Sequence, residues 1–358
     1  SYSRFSRTSG STGIPKIWLD TPSSWQAMLG NWLEVYDAAD VTAKSRIFFA
    51  FSFGPFLGFW TAFDAATQLG CMCVPGSGLS TEARLSIMAD MCVDTLCCTP
   101  TYAIHLGQTA QAQDLVHSTR HGDLHVKKII VAGEPGGSLP ATRARIAELW
   151  GGADVYDHHG MTEVGPITYQ APSQPGTLVV MESSYLAEVI APDSDRAVDP
   201  GEEGELVLTT LQRIGSPLLR YRTGDLVRAE RRTISPYTLD CLCLDGGILG
   251  RTDDMVVVRG VNIFPSAIEN IVRSILHVAE YQVDIGESRA MVDLALRVEW
   301  LPSCPDTSSA ARQLEQTLRN AFALRIPVHT VPTDTLPRFE LKAHRWGRNP
   351  GDTTGPSS

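Results

Sequence analysis

Lys127–Gly133 reads KKIIVAG: a short apolar run that opens on two lysines and closes on glycine. Runs of this kind are strands buried on both faces of a sheet. Two earlier segments share the texture, CMCVP from Cys71 and TLCCTP from Thr95. Helical stretches separate and follow them, at Thr81 to Val93, Thr101 to Gln113 and Pro140 to Trp150. Strand, helix and strand in this rhythm predict a parallel sheet covered by helices on both faces. Further upstream, Trp25, Met28, Leu29, Trp32, Leu33 and Tyr36 fall on one face at helical spacing.

Downstream of Pro172 the texture changes. GTLVVMESSYLAEVIAP and GEEGELVLTTL alternate apolar and polar residues between turn formers, which predicts antiparallel strands in a small sheet or distorted barrel. A third texture begins near Asp253. MVVVRGVNI reads as one strand, and Pro265 then starts a helix with Ile268, Ile271, Val272 and Ile275 on one face. Strands around Tyr281 and over Met291 to Trp300 precede a helix carrying Leu314, Leu318, Ala321 and Phe322. The expected class is multi-domain α/β: a core over 1–250 with a β-rich subdomain at 172–250, a small domain over 251–346, and a tail at 347–358 that composition makes disordered.

The 358 residues carry 30 Lys+Arg against 40 Asp+Glu, a formal charge of −10. That balance argues against general affinity for nucleic acid or anionic lipid. Hydrophobic residues make up 43 %, too many for a largely disordered chain. Eight cysteines are scattered, and the pairs Cys71/Cys73, Cys97/Cys98 and Cys241/Cys243 sit in strand-like apolar surroundings. They read as reduced core residues, not a disulfide framework. No signal-peptide pattern opens the sequence, and the apolar stretch Ile47 to Phe63 is short and broken by Gly54, Pro55 and Gly58. The expectation is a soluble, cytoplasmic protein that binds no membrane.

Ser6–Lys16, SRTSGSTGIPK, concentrates glycines and hydroxyls ahead of a lysine. Exposed backbone N–H groups and hydroxyls make a concave donor surface for phosphate oxygens, and a lysine adds a point charge. The segment is not a P-loop: Gly10 to Gly13 is too short a spacing, Pro15 precedes the lysine and Ile17 follows it. Thr8, Ser9, Gly10, Ser11, Thr12, Gly13, Pro15 and Lys16 instead match the [ST]-S-G-[ST]-T-G-x-P-K signature of the adenylate-forming superfamily, which includes acyl-CoA synthetases, peptide-synthetase adenylation domains and luciferases. Taken alone, such a loop reads equally well as a solvated linker.

Further stations carry the same resemblance in the same order. YDHHGMTEVGP, from Tyr156, is similar to the superfamily's Y-G-x-T-E, with Gly160, Thr162 and Glu163 matching. The resemblance implies that Glu163 helps hold Mg²⁺ and that Thr162 contacts the α-phosphate. His159 stands where a tyrosine stacks on adenine, with His158 beside it. A His158–His159 metal pair is the rival reading, but further ligands at suitable spacing are missing. RYRTGDL, from Arg220, resembles Y-[RK]-T-G-D and implies that Asp225 binds the ribose hydroxyls. GRTDDMVVVRGVNIFPSAIE, from Gly250, resembles phenylacetate–CoA ligases most specifically, down to Asn262. By that resemblance Arg251 contacts the ribose and Asp253 is the hinge of a mobile C-terminal domain. LPRFELKAHRW, from Leu336, resembles P-R-x-x-x-G-K-x-x-R, so Lys342 aligns with the catalytic lysine, although Leu341 replaces the glycine. VAGEPGGSLP places Gly133, Glu134 and Pro135 with the segment near the adenine.

The implied fold is a large N-terminal domain of parallel sheet and helices with a β subdomain, followed by the small C-terminal domain. The implied reaction is AMP-forming activation of a carboxylic acid by ATP and Mg²⁺, with the acyl group passed to CoA. Phe51, Phe53 and Phe56, with Phe59 and Trp60, suggest a flat apolar pocket for an aryl or arylacetic acid; core packing explains each residue equally well. Transfer to an amine or a carrier protein, and a non-catalytic nucleotide-binding remnant, stay open as alternatives. A homodimer fits the reading, and the identity of the acid does not follow from it. Relatives carry a sizeable segment ahead of the loop where this chain has seven residues, so a fragment of a longer product is expected. Cys241 and Cys243 resemble a C-x-C-G turn without its glycine and leave both a metal and a plain buried pair open.

Overall fold

A computed structural model of the chain describes residues 1–8, 16–51, 53–116, 124–192, 194–235, 240–288, 291–339 and 343–348. The chain divides into two compact units, Ser1–Thr252 and Asp253–Ser358.

The first unit opens on an antiparallel hairpin of β1 (Arg4–Arg7) and β2 (Ile17–Asp20), registered from Arg4↔Asp20 to Arg7↔Ile17. Helix α1 (Pro22–Ala38) follows at once. Pro22 stands at its first turn, and the Thr21 side chain accepts a hydrogen bond from the Ser24 N–H, relieving one of the unpaired donors of the helix end. Trp25, Met28, Leu29, Trp32, Val35 and Tyr36 form its buried face, each worth roughly 1.5–3 kcal/mol of transfer free energy.

Next come β3 (Arg46–Phe49), α2 (Leu57–Leu69), β4 (Met72–Pro75), α3 (Thr81–Asp90), β5 (Thr95–Cys98), α4 (Pro100–Ala112), β6 (Lys128–Val131), α5 (Pro140–Leu149) and β7 (Asp154–Asp157). The five strands form one parallel sheet in the order β4-β3-β5-β6-β7. Alternate residues face opposite ways, as a pleat requires. Ile47 and Phe49 join α1 and α2 in one core, while Phe48, Leu96, Ile129 and Val131 join α3, α4 and α5 in another. The predicted two-sided parallel sheet is present. Capping residues set the helix starts: Ser80 accepts from Ala83 N–H at α3, and Thr99 from Tyr102 N–H at α4.

The antiparallel part is an open seven-stranded sheet, begun by Thr168–Gln170 and including Tyr185–Ile190, Glu203–Thr210, Tyr221–Thr233 and Asp240–Asp245. Gly250–Arg251 pairs with the long strand Tyr221–Thr233 at Asp225↔Arg251.

In the second unit, the MVVVRGVNI segment corrects the single-strand expectation. Val256–Val258 and Val261–Ile263 form a hairpin whose two turn residues, Arg259 and Gly260, have φ of 48° and 83°. Positive φ at both positions is the twist-matched two-residue turn, and glycine supplies half of it without strain. Helix α6 (Pro265–Ser274) and helix α7 (Thr307–Phe322) share one core with a four-stranded sheet, in which Val278–Ser288 and Met291–Trp300 are the central antiparallel pair.

Candidate functional site

The chain runs from β3 to β4 on one side of the parallel sheet, then crosses back to place β5 on the other side of β3. Such a switch point opens a crevice beyond the carboxyl ends of the strands, where α/β sheets bind ligands. Three of the candidate segments leave the sheet at those ends: the one carrying Phe51, Phe53 and Phe56 after β3, Gly133–Pro135 after β6, and His158–Glu163 after β7.

The aromatic segment is divided by depth. Phe51 is 3 % exposed and stacks on Phe59 with ring centroids 3.8 Å apart. Phe53 and Phe56 are half-buried, and Phe53 meets Trp60 and Phe63 edge-on at 5.0 and 5.3 Å. After β6, Gly133 takes φ of 95°, a backbone that suits glycine. Glu134 Oε1 accepts a hydrogen bond from Thr101 N–H at 2.8 Å, which joins this loop to the N-terminal end of α4.

The two histidines after β7 do different things. His158 is 4 % exposed, packs against Trp32 at a centroid distance of 4.4 Å, and brings Nδ1 to 2.6 Å of the Thr168 carbonyl. Only a protonated Nδ1 can donate there, so the ring is fixed in one tautomer. Burial pushes its pKa down to about 4. His158 is therefore a neutral core residue, which leaves no metal pair with His159. Beside it, the buried carboxyl of Asp157, raised by desolvation, accepts from Ser138 Oγ at 2.5 Å.

His159 turns the other way. Its N–H donates to Thr168 Oγ1 at 3.0 Å, and its Nε2 lies 3.0 Å from Asp225 Oδ2. The second Asp225 oxygen lies 3.2 Å from Arg251 Nη1. Asp225 lies in the strand Tyr221–Thr233 beside an irregularity in its register with Glu203–Thr210, where its N–H donates to Thr223 Oγ1 at 3.0 Å and Gly224 has φ of 76°. A Cβ on Gly224 would come within 2.8 Å of the Arg251 guanidinium. His159, Asp225 and Arg251, 92 residues apart at the extremes, thus form one contact cluster. Its geometry is incomplete: Asp225 Oδ2 falls outside hydrogen-bond alignment with His159, and neither it nor His159 Nδ1 is satisfied by a described residue, although both are buried. Orphaned buried polar atoms of this kind mark a place for further polar groups.

Gly160–Met161 and Gly165–Pro166 pair as a minute hairpin, and Thr162, Glu163 and Val164 form its turn. A Cβ on Gly160 would stand 2.9 Å from the Gly165 carbonyl, so the turn closes only around glycine. Arg213 holds this turn. Its Nη1 donates to the carbonyls of Thr162 and Glu163 at 2.8 and 2.9 Å, while Nε and Nη2 grip both oxygens of Asp20 at 2.7 Å. The Glu163 carboxylate is half-buried, and no described residue hydrogen-bonds it.

Thr8 and Lys16 close the base of the opening loop: Thr8 N–H donates to the Lys16 carbonyl at 3.0 Å, and Lys16 N–H to Thr8 Oγ1 at 2.9 Å. Ser9, Gly10, Ser11, Thr12, Gly13 and Lys342 lie outside the described residues. Asp253 is the first residue of the second unit. Cys241 and Cys243 are free thiols on one strand, both raised by burial, Cys243 to about 11. Among the described residues no group of three His, Cys, Asp or Glu could hold a metal by itself, and no helix is long and apolar enough to cross a membrane.

Sequence reasoning did not find Asp20 and Arg213. They lie 193 residues apart in unremarkable stretches, IWLD and LQRIG, and only the fold brings them together.

The family model for AMP-binding enzymes matches residues 7–212, and that for the AMP-binding enzyme C-terminal domain matches residues 260–347. A phenylacetate-coenzyme A ligase of Aromatoleum evansii is 29 % identical over 356 residues, 96 % of this chain and 77 % of the relative. The Escherichia coli (strain K12) phenylacetate-coenzyme A ligase is 28 % identical over 96 % of this chain and 78 % of its own length. Among solved structures, a 2-hydroxyisobutyryl-CoA ligase in the postadenylation state, in complex with 2-HIB-AMP, superposes with a TM-score of 0.88 at 25 % identity, over 98 % of this chain and 74 % of the other. With its two matched regions lying in the order the motifs predict, this chain belongs to the AMP-binding enzyme family.

Proposed function

We propose that this chain is an AMP-forming acid–CoA ligase that activates an aryl or arylacetic acid. The observation that carries the reading is the cluster of His159, Asp225 and Arg251 beside the Thr162–Glu163 turn, at the carboxyl edge of the parallel sheet. In the first step a carboxylate oxygen of the acid bonds to the α-phosphorus of ATP, the bond to the β-phosphate oxygen breaks, and pyrophosphate leaves. In the second, the CoA thiol adds to the acyl carbon and AMP leaves with the electron pair of the mixed anhydride.

The first step brings two anions together, so its barrier falls with preorganised positive charge. Lys342 supplies that charge at the α-phosphate, and Thr162 hydrogen-bonds an α-phosphate oxygen. The loop over Ser9–Gly13, with Thr8 and Lys16 at its base, cradles the β- and γ-phosphates. Asp225 takes the ribose hydroxyls, which satisfy the oxygen now left unaligned against His159. Arg251 flanks the same hydroxyls, and His159 stacks on the adenine beside Gly133, Glu134 and Pro135. His158 acts behind His159, as the fixed neutral ring that supports it.

The residues fit Mg²⁺. This ion binds proteins through one or two carboxylates and completes its shell with water and phosphate oxygens. Glu163 offers one such carboxylate with no described hydrogen-bond partner. When bound, Mg²⁺ neutralises charge on the phosphates. Asp253, at the boundary of the two units, is the pivot on which the C-terminal unit moves between the two steps. Phe53 and Phe56, half-buried on the loop after β3, face the acid, and Phe51 backs them from the core.

The test is to incubate the chain with ATP, Mg²⁺, CoA and a panel of aryl and alkyl acids, and to follow AMP and thioester by chromatography. AMP and thioester formed in equal amounts with aryl acids support the reading. ATP binding without AMP release for any acid contradicts it, and equal turnover of short alkyl acids removes the aromatic pocket.

A further inference from the structure

The turn Thr162–Val164 has a backbone problem that its own hairpin cannot solve. Only the pairs Gly160↔Pro166 and Met161↔Gly165 belong to the ladder, so the carbonyls of Thr162, Glu163 and Val164 need donors from elsewhere. Tyr185 OH donates to the Val164 carbonyl at 3.3 Å. Arg213 Nη1 takes the other two.

The rest of the guanidinium is spent on Asp20. Two parallel bonds of 2.7 Å make a fork-on-carboxylate pair, with Asp20 0 % and Arg213 2 % exposed. Stability is a poor reason for such a pair, since apolar residues of similar volume do as well or better in most cores. What apolar residues cannot do is donate to two carbonyls while gripping another strand. Asp20 ends β2, and the four register pairs of the hairpin lead straight from it to Arg7 and Ile17 at the foot of the opening loop. Neighbours of Arg213 reinforce the attachment: Ser216 Oγ donates to the Leu19 carbonyl at 2.6 Å, and Tyr2 OH to that of Gly215 at 3.0 Å.

We infer that Arg213, locked to Asp20, is a positioning residue that holds the Thr162–Glu163 turn in fixed register with the β1–β2 hairpin and so sets how Mg²⁺·ATP binds. The inference rests on the functional reading above, in which Thr162, Glu163 and the loop between β1 and β2 serve the same triphosphate. One guanidinium then sets the spacing of two phosphate-binding elements that are far apart in sequence. Arg213 itself touches no reacting atom.

Two variants test it. Arg213→Lys keeps the charge but, as a single point donor, cannot make the fork and both carbonyl bonds. The pair Asp20→Leu with Arg213→Met removes both buried charges together, so that neither is stranded. For each, binding of Mg²⁺ with a non-hydrolysable ATP analogue is measured by calorimetry, amide hydrogen exchange is followed over 160–164, and the two half-reactions are assayed apart.

The expected result is a dissociation constant for the Mg²⁺–nucleotide weakened about tenfold or more and faster exchange over 160–164. The KM for the acid should change less than about twofold, and thioester formation from a supplied acyl-adenylate, which keeps the α-phosphate bonded by Thr162 but lacks the β- and γ-phosphates, should fall less than adenylation does. Variants that bind the Mg²⁺–nucleotide as the wild type does overturn the inference alone, as does an equal fall in both half-reactions from lost folded protein. A wild-type chain that binds no Mg²⁺–nucleotide overturns the functional reading, and this inference with it.

Discussion

Lowering the pH from 7 to 5 protonates His158 in the unfolded chain but not in the folded one. Burial holds the ring's pKa at about 4, against 6.5 for an unperturbed imidazole, and the Thr168 carbonyl offsets this only in part. A native value below the unfolded one gives stability that is complete above about pH 6.5 and is lost as the pH falls towards 4. The full difference is worth about 3 kcal/mol, of which about 2 kcal/mol is lost at pH 5. Glu34 and Asp157 are raised by burial, so the native state holds their protons more tightly than the unfolded chain does, and they act with the opposite sign. Comparison with His158→Gln removes their share, because the glutamine amide still donates to Thr168. Urea unfolding is followed by tryptophan fluorescence, to which Trp32 contributes from 4.4 Å away from the imidazole ring. Wild type should lose about 2 kcal/mol more than the variant between pH 7 and pH 5. Equal losses would refute the buried neutral histidine.

Three further outcomes are expected. In the second unit, burial would raise Glu269, but Arg345 and Arg273 outweigh it and hold the carboxyl at about 2, so this contribution is full above about pH 4.5 and disappears as the pH falls through 2. Arg345→Ala, which removes the 2.8 Å contact to Glu280 and leaves it the 3.5 Å contact to Arg273, should cost about 1–3 kcal/mol in denaturant unfolding; a loss below about 1 kcal/mol would show that the cluster carries no net stability. Gly137→Ala would set a Cβ 2.2 Å from Asp157 Oδ1 and 2.7 Å from Val131 Cγ2, a clash expected to cost about 1–3 kcal/mol in thermal unfolding. Phe51→Ala should lower stability by about 3–5 kcal/mol, whereas Phe53→Ala should chiefly raise the KM for aryl acids; the reverse pattern would place the pocket on the wrong phenylalanine.

The parallel sheet was legible because its strands read as short apolar runs: TLCCTP and KKIIVAG are β5 and β6 of the buried centre, and CMCVP is β4, apolar although it lies at the exposed edge. The hairpin at Arg259–Gly260 was not, since valines on both sides of a two-residue turn look like one strand, and an arginine at positive φ leaves no mark in composition. Within the site, Gly160, Thr162, Glu163, Asp225 and Arg251 were legible from local motifs. Their mutual contacts were not: His159 against Asp225 and the inward turn of His158 depend on which way a strand end twists. Asp20 and Arg213 lay beyond reach for a different reason. A buried ion pair between a strand end and a loop 193 residues apart is a product of packing, and neither residue belongs to a pattern of spacing.

The central claim is that these stations serve one nucleotide during the activation of a carboxylic acid. Exchange of labelled pyrophosphate into ATP tests it most directly, measured with and without aryl acids and repeated with Asp225→Ala and Lys342→Ala. The expected result is exchange that requires both the acid and Mg²⁺ and falls by on the order of 10²-fold or more in either variant. Exchange indifferent to the acid, or undiminished when Asp225 is replaced, would contradict it.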